Sequence, residues 1–248
     1  MLKKYLVIVL ASVALGAAIV MVGWTAEITP SEKLICLVSY SSFTGPPVVS
    51  PDNMHVAFGA VVGSKQFIVI DGKEEKQYDK VGNLIFSPDS KRVAYVYVAL
   101  MGKKVSVVID GKEEKQYDGI GNPIFSPDSK RVAYLAQTGK KVFAIVDGKE
   151  EQKYDGISDG TLIFSPDSKR VAYVAWAGRK KLVVIDGKEE KQYDGMLSGS
   201  IIKFNPDGSF NYIAIQGNGI YLVTSQGLTK VDSESKATPN ESKSEESK

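Results

Sequence analysis

One decapeptide, Phe-Ser-Pro-Asp-Ser-Lys-Arg-Val-Ala-Tyr, occurs three times in this chain, and degraded copies of it occur twice more. The intact copies start at Phe86, Phe125 and Phe164, and the degraded copies start at Val49 and Phe204. The aspartates of the five copies are spaced 37, 39, 39 and 40 residues apart. Self-similarity at such a period indicates a repeat architecture, in which each unit buries its apolar faces against its neighbours.

A second motif, Asp-Gly-Lys-Glu-Glu, alternates with the first and starts at Asp71, Asp110, Asp147 and Asp186. Together the motifs predict four short strands per repeat, which we name A to D in chain order. Strand A leads into Ser-Pro-Asp-Ser, which is typical of a turn because proline presets φ at its second position. Strands B and C are the apolar runs exemplified by residues 131–136 and 142–146. Asp-Gly predicts a two-residue hairpin turn, in which both residues need φ > 0, before the polar strand D.

Four antiparallel strands in about 39 residues, repeated radially, are typical of a β-propeller blade. We therefore predict an all-β fold: a five-bladed β-propeller of four-stranded antiparallel blades, preceded by one N-terminal transmembrane helix. The last repeat has no Asp-Gly-Lys unit after its strand C. We expect a strand at residues 34–40 to supply the missing strand D and close the ring, with residues 228–231 as the alternative.

The N-terminus carries Lys3 and Lys4, followed by a charge-free apolar run from Tyr5 to about Trp24. Such a run is long enough to span a bilayer. We interpret residues 1–26 as an uncleaved signal anchor, with a cleaved signal peptide as the alternative. The predicted location is the cytoplasmic membrane, single-pass, with the propeller on the extracytoplasmic side; cleavage would instead give a secreted or periplasmic protein.

The remaining chain divides by composition. Residues 27–33 are a linker, residues 34–231 form the predicted propeller, and residues 232–248 are a tail of mostly Ser, Glu and Lys. The tail has too few apolar side chains to offset the entropy of ordering, so we expect it to be disordered.

The Ser-Pro-Asp-Ser-Lys-Arg-Val-Ala-Tyr unit, followed by a strand and Asp-Gly, resembles the TolB-like, or WD-like, β-propeller repeat of bacteria. The resemblance covers roughly Val48 to Thr224. It implies the fold and is not specific for a function. Members of this family include periplasmic envelope components and peptidase-associated propellers, and a shared fold does not carry an activity with it.

Charge and residue types exclude several functions. The 31 Lys+Arg and 29 Asp+Glu give a net charge of +2. Nucleic-acid binding would require a clustered excess of basic charge, so this near-balance argues against it. His55 is the only histidine, so no histidine-based triad or zinc site is expected. Cys36 is the only cysteine, which excludes an intramolecular disulfide. The repeated aspartates are interpreted as turn residues, and we predict no catalytic residue, metal or cofactor.

Repeated tyrosines follow each Asp-Gly-Lys-Glu-Glu unit, and we expect them to pack between blades; they are Tyr78, Tyr117, Tyr154 and Tyr193. Function should instead lie where the repeats differ, in the B–C and D–A loops, which we expect at one end of the blades, the top end. The candidate binding surface consists of Leu100, Met101, Gln137, Asp159, Trp176 and Arg179. Exposed Trp and Arg are typical of recognition surfaces.

The leading functional hypothesis is a membrane-anchored, non-catalytic scaffold that binds a protein or glycan partner in the cell envelope. One alternative is a glycoside-active five-bladed enzyme, which needs two carboxylates of different role facing one cavity. A second alternative is a structural module that assembles with copies of itself.

Overall fold

The computed structural model of the chain describes residues 32, 34–35, 43–99, 104–197 and 199–225. The chain divides into two units, Met1–Ile35 and Cys36–Lys248. In the first unit only Glu32, Leu34 and Ile35 are described, and all three are exposed. No helix long and apolar enough to cross a membrane occurs among the described residues. The predicted anchor at residues 1–26, most of the linker and the tail at residues 232–248 lie outside them.

The described part of the second unit is all-β. Its strands are β1 (Val48–Val49), β2 (Val56–Val62), β3 (Lys65–Ile70), β4 (Lys73–Glu74), β5 (Lys80–Phe86), β6 (Val93–Ala99), β7 (Lys104–Ile109), β8 (Lys112–Glu113), β9 (Gly119–Ile120), β10 (Ile124–Phe125), β11 (Val132–Thr138), β12 (Lys141–Val146), β13 (Lys149–Glu150), β14 (Gly156–Ile157), β15 (Ile163–Phe164), β16 (Val171–Ala177), β17 (Lys180–Ile185), β18 (Lys188–Glu189), β19 (Gly195–Met196), β20 (Lys203–Phe204), β21 (Phe210–Gln216) and β22 (Gly219–Thr224).

These strands form five antiparallel sheets that follow one another along the chain. Sheet 1 contains β1–β4, sheet 2 contains β5–β8, sheet 3 contains β9–β13, sheet 4 contains β14–β18 and sheet 5 contains β19–β22. Within each of the first four sheets the order is A-B-C-D, as the repeat predicts. Strand D extends beyond its two-residue ladder, because each repeated tyrosine forms a further bridge to strand C, such as Val142 to Tyr154.

The predicted turns are confirmed by their backbone angles. Asp147 and Gly148 have φ values of 51° and 77°, so both central residues of this hairpin are left-handed. Asp71, Asp110 and Asp186 repeat the conformation, each followed by a glycine with positive φ. An Asp-Gly pair suits this turn because aspartate tolerates the left-handed region and glycine has no Cβ to clash there.

Neighbouring sheets pack face to face in chain order. One apolar cluster joins sheets 3 and 4 and contains Ala144, Tyr173 and Leu182. Comparable clusters join sheets 1 and 2, 2 and 3, and 4 and 5. The repeated strand-D tyrosines are buried in these junctions, which confirms their predicted packing. Burial raises the pKa of Tyr117 to about 12. Four-stranded antiparallel sheets packed in this way are the blades of a β-propeller.

The structure differs from the predicted repeat in two places. In sheets 3, 4 and 5, strand A is split into two short segments that pair with opposite halves of strand B. The A–B turn of sheet 5 is also one residue shorter. Phe204 pairs with Phe210, six positions later, whereas Phe164 pairs with Val171, seven positions later.

Candidate binding surface

The top end of the sheets carries the B–C hairpin turns and the crossings from strand D to the next strand A. At each crossing an aspartate connects two neighbouring sheets. Asp155 accepts a hydrogen bond from the backbone N–H of Gly178 in sheet 4 at 2.6 Å. The same carboxylate accepts one from Lys141 Nζ of sheet 3 at 2.7 Å. Asp118 and Asp194 make the same two contacts at their own crossings. We call these three arrangements the Asp–Lys clasps.

The clasps shift the pKa values of their carboxyl groups downward. The N–H of Gly178, followed by the Lys141 ammonium, lowers the pKa of Asp155. For Asp118 and Asp194 the lysine makes the larger contribution and the glycine N–H the second. Hydrogen bonds and a nearby cation stabilise the ionised form, so these carboxylates hold their charge where the two sheets meet.

The bottom end carries the Ser-Pro-Asp-Ser and Asp-Gly turns, and there an arginine connects neighbouring sheets. Arg131 of sheet 3 donates from Nε to Asp147 of its own sheet at 2.8 Å. Its Nη1 donates to two carbonyl oxygens of sheet 4, those of Ser168 at 3.1 Å and Lys169 at 2.8 Å. Its guanidinium lies 5.2 Å from the ring centroid of Phe164. Arg92 and Arg170 occupy the equivalent places, and we call these arrangements the Arg clasps.

The aspartates of the Ser-Pro-Asp turns act within their own turns, as predicted. Asp128 Oδ1 accepts from Ser126 Oγ at 2.6 Å and from the N–H of Lys130 at 3.1 Å. Ser126 Oγ, followed by the Lys130 N–H, lowers the pKa of Asp128. The backbone N–H of Asp128 also donates to Ser168 Oγ of the next sheet. These aspartates therefore fix turns and junctions.

Gln137 and Trp176 occupy the same place in successive sheets, near the top of strand B. Gln137 pairs with Val142 and Gly119, and Trp176 pairs with Lys181 and Gly156. Gln137 is exposed, and its Nε2 donates to Gly139 O at 2.9 Å. Trp176 is half-buried and lies against Gly156, where an added Cβ would come within 2.0 Å of Trp176 Cζ2. A glycine at that place is required for the indole to lie across strand A.

Arg179 follows Trp176 in the B–C turn of sheet 4 and is exposed. Lys140 is its counterpart in sheet 3 and is also exposed. Within the described part of the chain, neither side chain makes a hydrogen bond or an ion pair. The structure therefore brings Gln137, Trp176 and Arg179 to the top ends of two adjacent sheets. Leu100 and Met101 lie outside the described residues.

Asp159 lies at a different level from the other described candidates. It is exposed in the turn between β14 and β15, the two halves of strand A. The flanking N–H of Ser158 donates to Val174 O, and Thr161 Oγ1 accepts from Val174 N–H. Val174 is in the middle of strand B, so Asp159 sits beside the middle of the sheet, away from the B–C turns. The cause is the split of strand A, which the loop pattern did not reveal.

A polar cavity of about 320 Å³ lies at the bottom end between sheets 3 and 4. Its lining includes Arg131, Asp147, Glu151 and Asp186. Burial raises the pKa of Glu151, although Tyr173 OH, which donates to its carboxylate at 2.7 Å, partly offsets the shift. Asp147 and Asp186 are bound by Arg131 and Arg170 and also accept strand N–H bonds. These two carboxylates stabilise the C–D hairpins.

Reasoning from the sequence missed the Asp–Lys clasps, although a signal was present. An aspartate follows each repeated tyrosine, and a lysine precedes that aspartate by 14 residues. In the three clasps the glycine that donates its N–H follows the aspartate by 21 or 23 residues. The described residues contain no group of three or more His, Cys, Asp or Glu side chains that could hold a metal ion.

Proteins similar to this chain are found among solved structures but not among family models or curated proteins. No family model matches the sequence, and no curated protein matches it either. Among solved structures, the chain is similar to TolB from Acinetobacter baumannii, with 18% identity and a TM-score of 0.35 over 72% of this chain and 50% of that one. The chain thus spans half the length of that structure.

Two further similar structures come from proteases. The β-propeller domain of the Trilobed protease from Pyrococcus furiosus is 16% identical with a TM-score of 0.40, over 74% of this chain and 68% of that one. An acylaminoacyl peptidase in complex with a chloromethyl ketone is 13% identical with a TM-score of 0.40, over 73% of this chain and 37% of that one. TolB and other β-propeller proteins are thus among the structural neighbours.

Proposed function

We propose that this chain is a non-catalytic binding scaffold whose protein partner docks at the top end of a five-bladed β-propeller. One observation carries the proposal. The Asp–Lys clasps repeat from junction to junction, whereas the residues beside them differ from sheet to sheet and reach solvent. The place of Trp176 is taken by Val61, Gln137 and Ile215 in other sheets. Residues that vary on a repeated frame are free to serve recognition.

The side chains at the top end favour a partner with acidic groups. The described aspartates of the clasps, Asp118, Asp155 and Asp194, are each bound by a lysine. Lys140 and Arg179 add exposed cations that have no such partner among the residues that the structure describes. Trp176 supplies a half-buried aromatic surface beside them. A tryptophan next to an arginine is the composition of an interface hot spot, and the uncompensated cations favour an acidic protein surface.

The carboxylates support a non-catalytic role. Those of the Ser-Pro-Asp turns, the Asp-Gly hairpins and the Asp–Lys clasps are each held by serine, arginine, lysine or backbone N–H donors. Their bonds recur at successive junctions, as expected of groups that stabilise a repeated interface. The carboxyl with the raised pKa, Glu151, shares its cavity with aspartates that are bound in this way.

The proposed location rests on the sequence. The charge-free run from Tyr5 to Trp24 behind Lys3 and Lys4 supports an anchor in the cytoplasmic membrane. The propeller then faces the extracytoplasmic side, where the top end meets a partner of the cell envelope.

The test is affinity capture from solubilised membranes with three forms of the full chain: wild type, Arg179→Glu and Trp176→Ala. Arg179→Glu reverses a charge on an exposed side chain that holds no structural bond, so folding should be retained. We expect it to weaken capture of the partner by about 30-fold, the size of a hot-spot effect. Trp176→Ala should have a similar effect.

The matched control is Lys149→Ala/Lys188→Ala, which removes two exposed cations at the bottom end. It should leave capture unchanged. An Arg179→Glu form that captures the same protein as strongly as wild type would overturn the proposal. A captured glycan, in place of a protein, would also overturn it.

A further inference from the structure

The last strand of sheet 5, β22, is unlike the strands C of the other sheets. Its Ile220, Tyr221 and Leu222 are 66%, 50% and 69% exposed. In sheet 4 the residues that correspond to Tyr221 and Leu222 are Leu182 and Val183, which are fully buried. In sheets 1 to 4 a strand D pairs with strand C, whereas among the described residues β22 pairs with β21 alone. An apolar strand with an unpaired edge is a site for the addition of another strand.

The register of sheet 1 identifies a segment that fits this edge. In sheet 3, Ile120 pairs with Ala136, and three residues earlier Tyr117 bridges Val105, on strand C of the preceding sheet. The chain enters sheet 4 in the same way, through Ile157 and Tyr154.

Sheet 1 is entered with the same register. Phe43 pairs with Ala60, and the N–H of Thr44 donates to Gly59 O, just as the N–H of Gly121 donates to Leu135 O in sheet 3. The residue three positions before Phe43 is Tyr40. By this register we expect Tyr40 to take the place that Tyr117 and Tyr154 have in the chain, at the end of a strand D of a preceding sheet.

We propose that residues 36–40 occupy the free edge of β22 as the strand D of sheet 5. The register of the other sheets then sets the pairing. In sheet 2, Val105 pairs with Tyr117 and Val108 pairs with Glu113. At the equivalent positions of sheet 5, Ile220 would pair with Tyr40 and Val223 with Cys36. The occupant reads Cys-Leu-Val-Ser-Tyr, and it is apolar where the other D strands are charged. That difference matches the exposed apolar side chains of β22.

Two other occupants compete with this segment. The first is residues 228–231. Ser225 bonds to Phe210 through its N–H and its Oγ, as Asp186 at the C–D hairpin of sheet 4 bonds to Val171. A hairpin at Ser225 would therefore lead residues 228–231 back along β22. A second copy could instead pair its own β22 there. The tyrosine register favours residues 36–40, because it reproduces both the bridge and the crossing into the next sheet.

The test uses the single native cysteine. In the full chain with Val223→Cys, the introduced thiol would lie opposite Cys36, at a Cα separation of about 5 Å that permits a disulfide. Cysteine is close to valine in size and apolarity, so the fold should persist. Glutathione disulfide serves as the oxidant and accepts the two electrons. We expect an intramolecular disulfide in most molecules, detected by mass spectrometry of the joined peptides.

The matched control is Ile220→Cys, which the register places opposite Tyr40, about 10 Å along the strand from the partner of Cys36. It should stay reduced. A Val223→Cys protein that stays reduced, or that forms disulfide-linked dimers, would overturn the proposal.

Hydrogen exchange tests the same pairing without a new thiol. The N–H of Val105 donates to Tyr117 O, so the N–H of Ile220 should donate to Tyr40 O. We expect Tyr40→Pro to speed exchange at the Ile220 amide by about 100-fold, because proline disrupts the added strand. Unchanged protection at Ile220 in that variant would show that residues 228–231 or another chain cover the edge.

Discussion

Sheets 4 and 5 are built from similar sequence, yet their strands C have opposite environments. β17 reads Lys-Lys-Leu-Val-Val-Ile and β22 reads Gly-Ile-Tyr-Leu-Val-Thr. The last four residues of β17 are buried, whereas Ile220, Tyr221 and Leu222 of β22 are exposed. Sheet 4 has a strand D and a following sheet against which to pack, and the described residues provide neither for sheet 5.

The comparison shows that the burial of a strand in this protein depends on whether a neighbouring sheet packs against it, more than on the strand's own sequence. A repeat unit buries its apolar faces only when a neighbour covers them, so stability is close to a sum of nearest-neighbour terms. The polar contacts follow the same rule. Arg170 of sheet 4 reaches Gly208 O of sheet 5, but the corresponding place in sheet 5 holds Ser209, which cannot extend a clasp any further.

The largest effect should come from the core of the junction between sheets 3 and 4. Leu182 is fully buried there, so Leu182→Ala removes apolar contacts and leaves a cavity. We expect a loss of about 3 kcal/mol in the free energy of unfolding. Ile201 beside sheet 5 is 73% exposed, and Ile201→Ala should change stability by less than about 0.5 kcal/mol. Urea denaturation of both variants measures the difference; equal losses would contradict junction-dominated burial.

An intermediate effect should follow from opening an Arg clasp. Arg131→Ala removes hydrogen bonds to Asp147 and to two carbonyl oxygens of sheet 4, together with the contact with the Phe164 ring. The expected loss is about 2 kcal/mol, the scale of charge-assisted hydrogen bonds at a partly buried site. The adjacent Lys130 has an exposed side chain, so Lys130→Ala should lie within about 0.5 kcal/mol of wild type. If the two alanine variants unfold at the same urea concentration, the clasp contributes nothing to the junction.

The smallest effect should appear in acid. The pKa values of Asp155 and Asp194 are lowered in the folded state from a reference of 3.8, so each ionised carboxylate favours folding. This stabilisation is complete above about pH 5 and is lost as the pH falls through 3.8 toward the lowered folded values. Asp155→Asn/Asp194→Asn should therefore flatten the acid side of the stability curve. Thermal unfolding from pH 7 to pH 2 measures this change in stability with pH. If the variant and wild type lose stability in parallel, the clasps do not cause the loss of stability in acid.

Much of the fold could be predicted from the repeats because short-range chemistry determines it. Asp-Gly fixed the hairpins, and Ser-Pro-Asp fixed the A–B turns, as the positive φ of Asp147 and the Ser126–Asp128 hydrogen bond confirm. The alternation of apolar and polar stretches predicted which strands lie inside. The predicted closing strand at residues 34–40 and the predicted anchor fall largely outside the described residues.

The geometry of the candidate surface could not be derived from the sequence, because it depends on contacts between distant residues. Because strand A is split, Asp159 lies beside the middle of the sheet, and no local sequence pattern around residues 157–161 predicts that split. The packing of Trp176 on Gly156 joins residues 20 positions apart. The clasps likewise connect an aspartate to a turn in the next sheet. That contact can be recognised only once neighbouring sheets are placed side by side.

Several contacts between neighbouring sheets run in one direction along the chain, whereas the hydrogen bond from Tyr173 OH to Glu151 runs in the other. Lys76 and Tyr78 donate to Glu113, the N–H of Asp89 donates to Ser129, and Arg131 donates to sheet 4. In each of these contacts the donor belongs to the earlier sheet and the acceptor to the later one. Each repeat thus carries a donor face and an acceptor face, so a tandemly duplicated gene segment would encode a unit that matches both of its neighbours at once. Growth of such a protein by whole repeats requires no newly evolved interface.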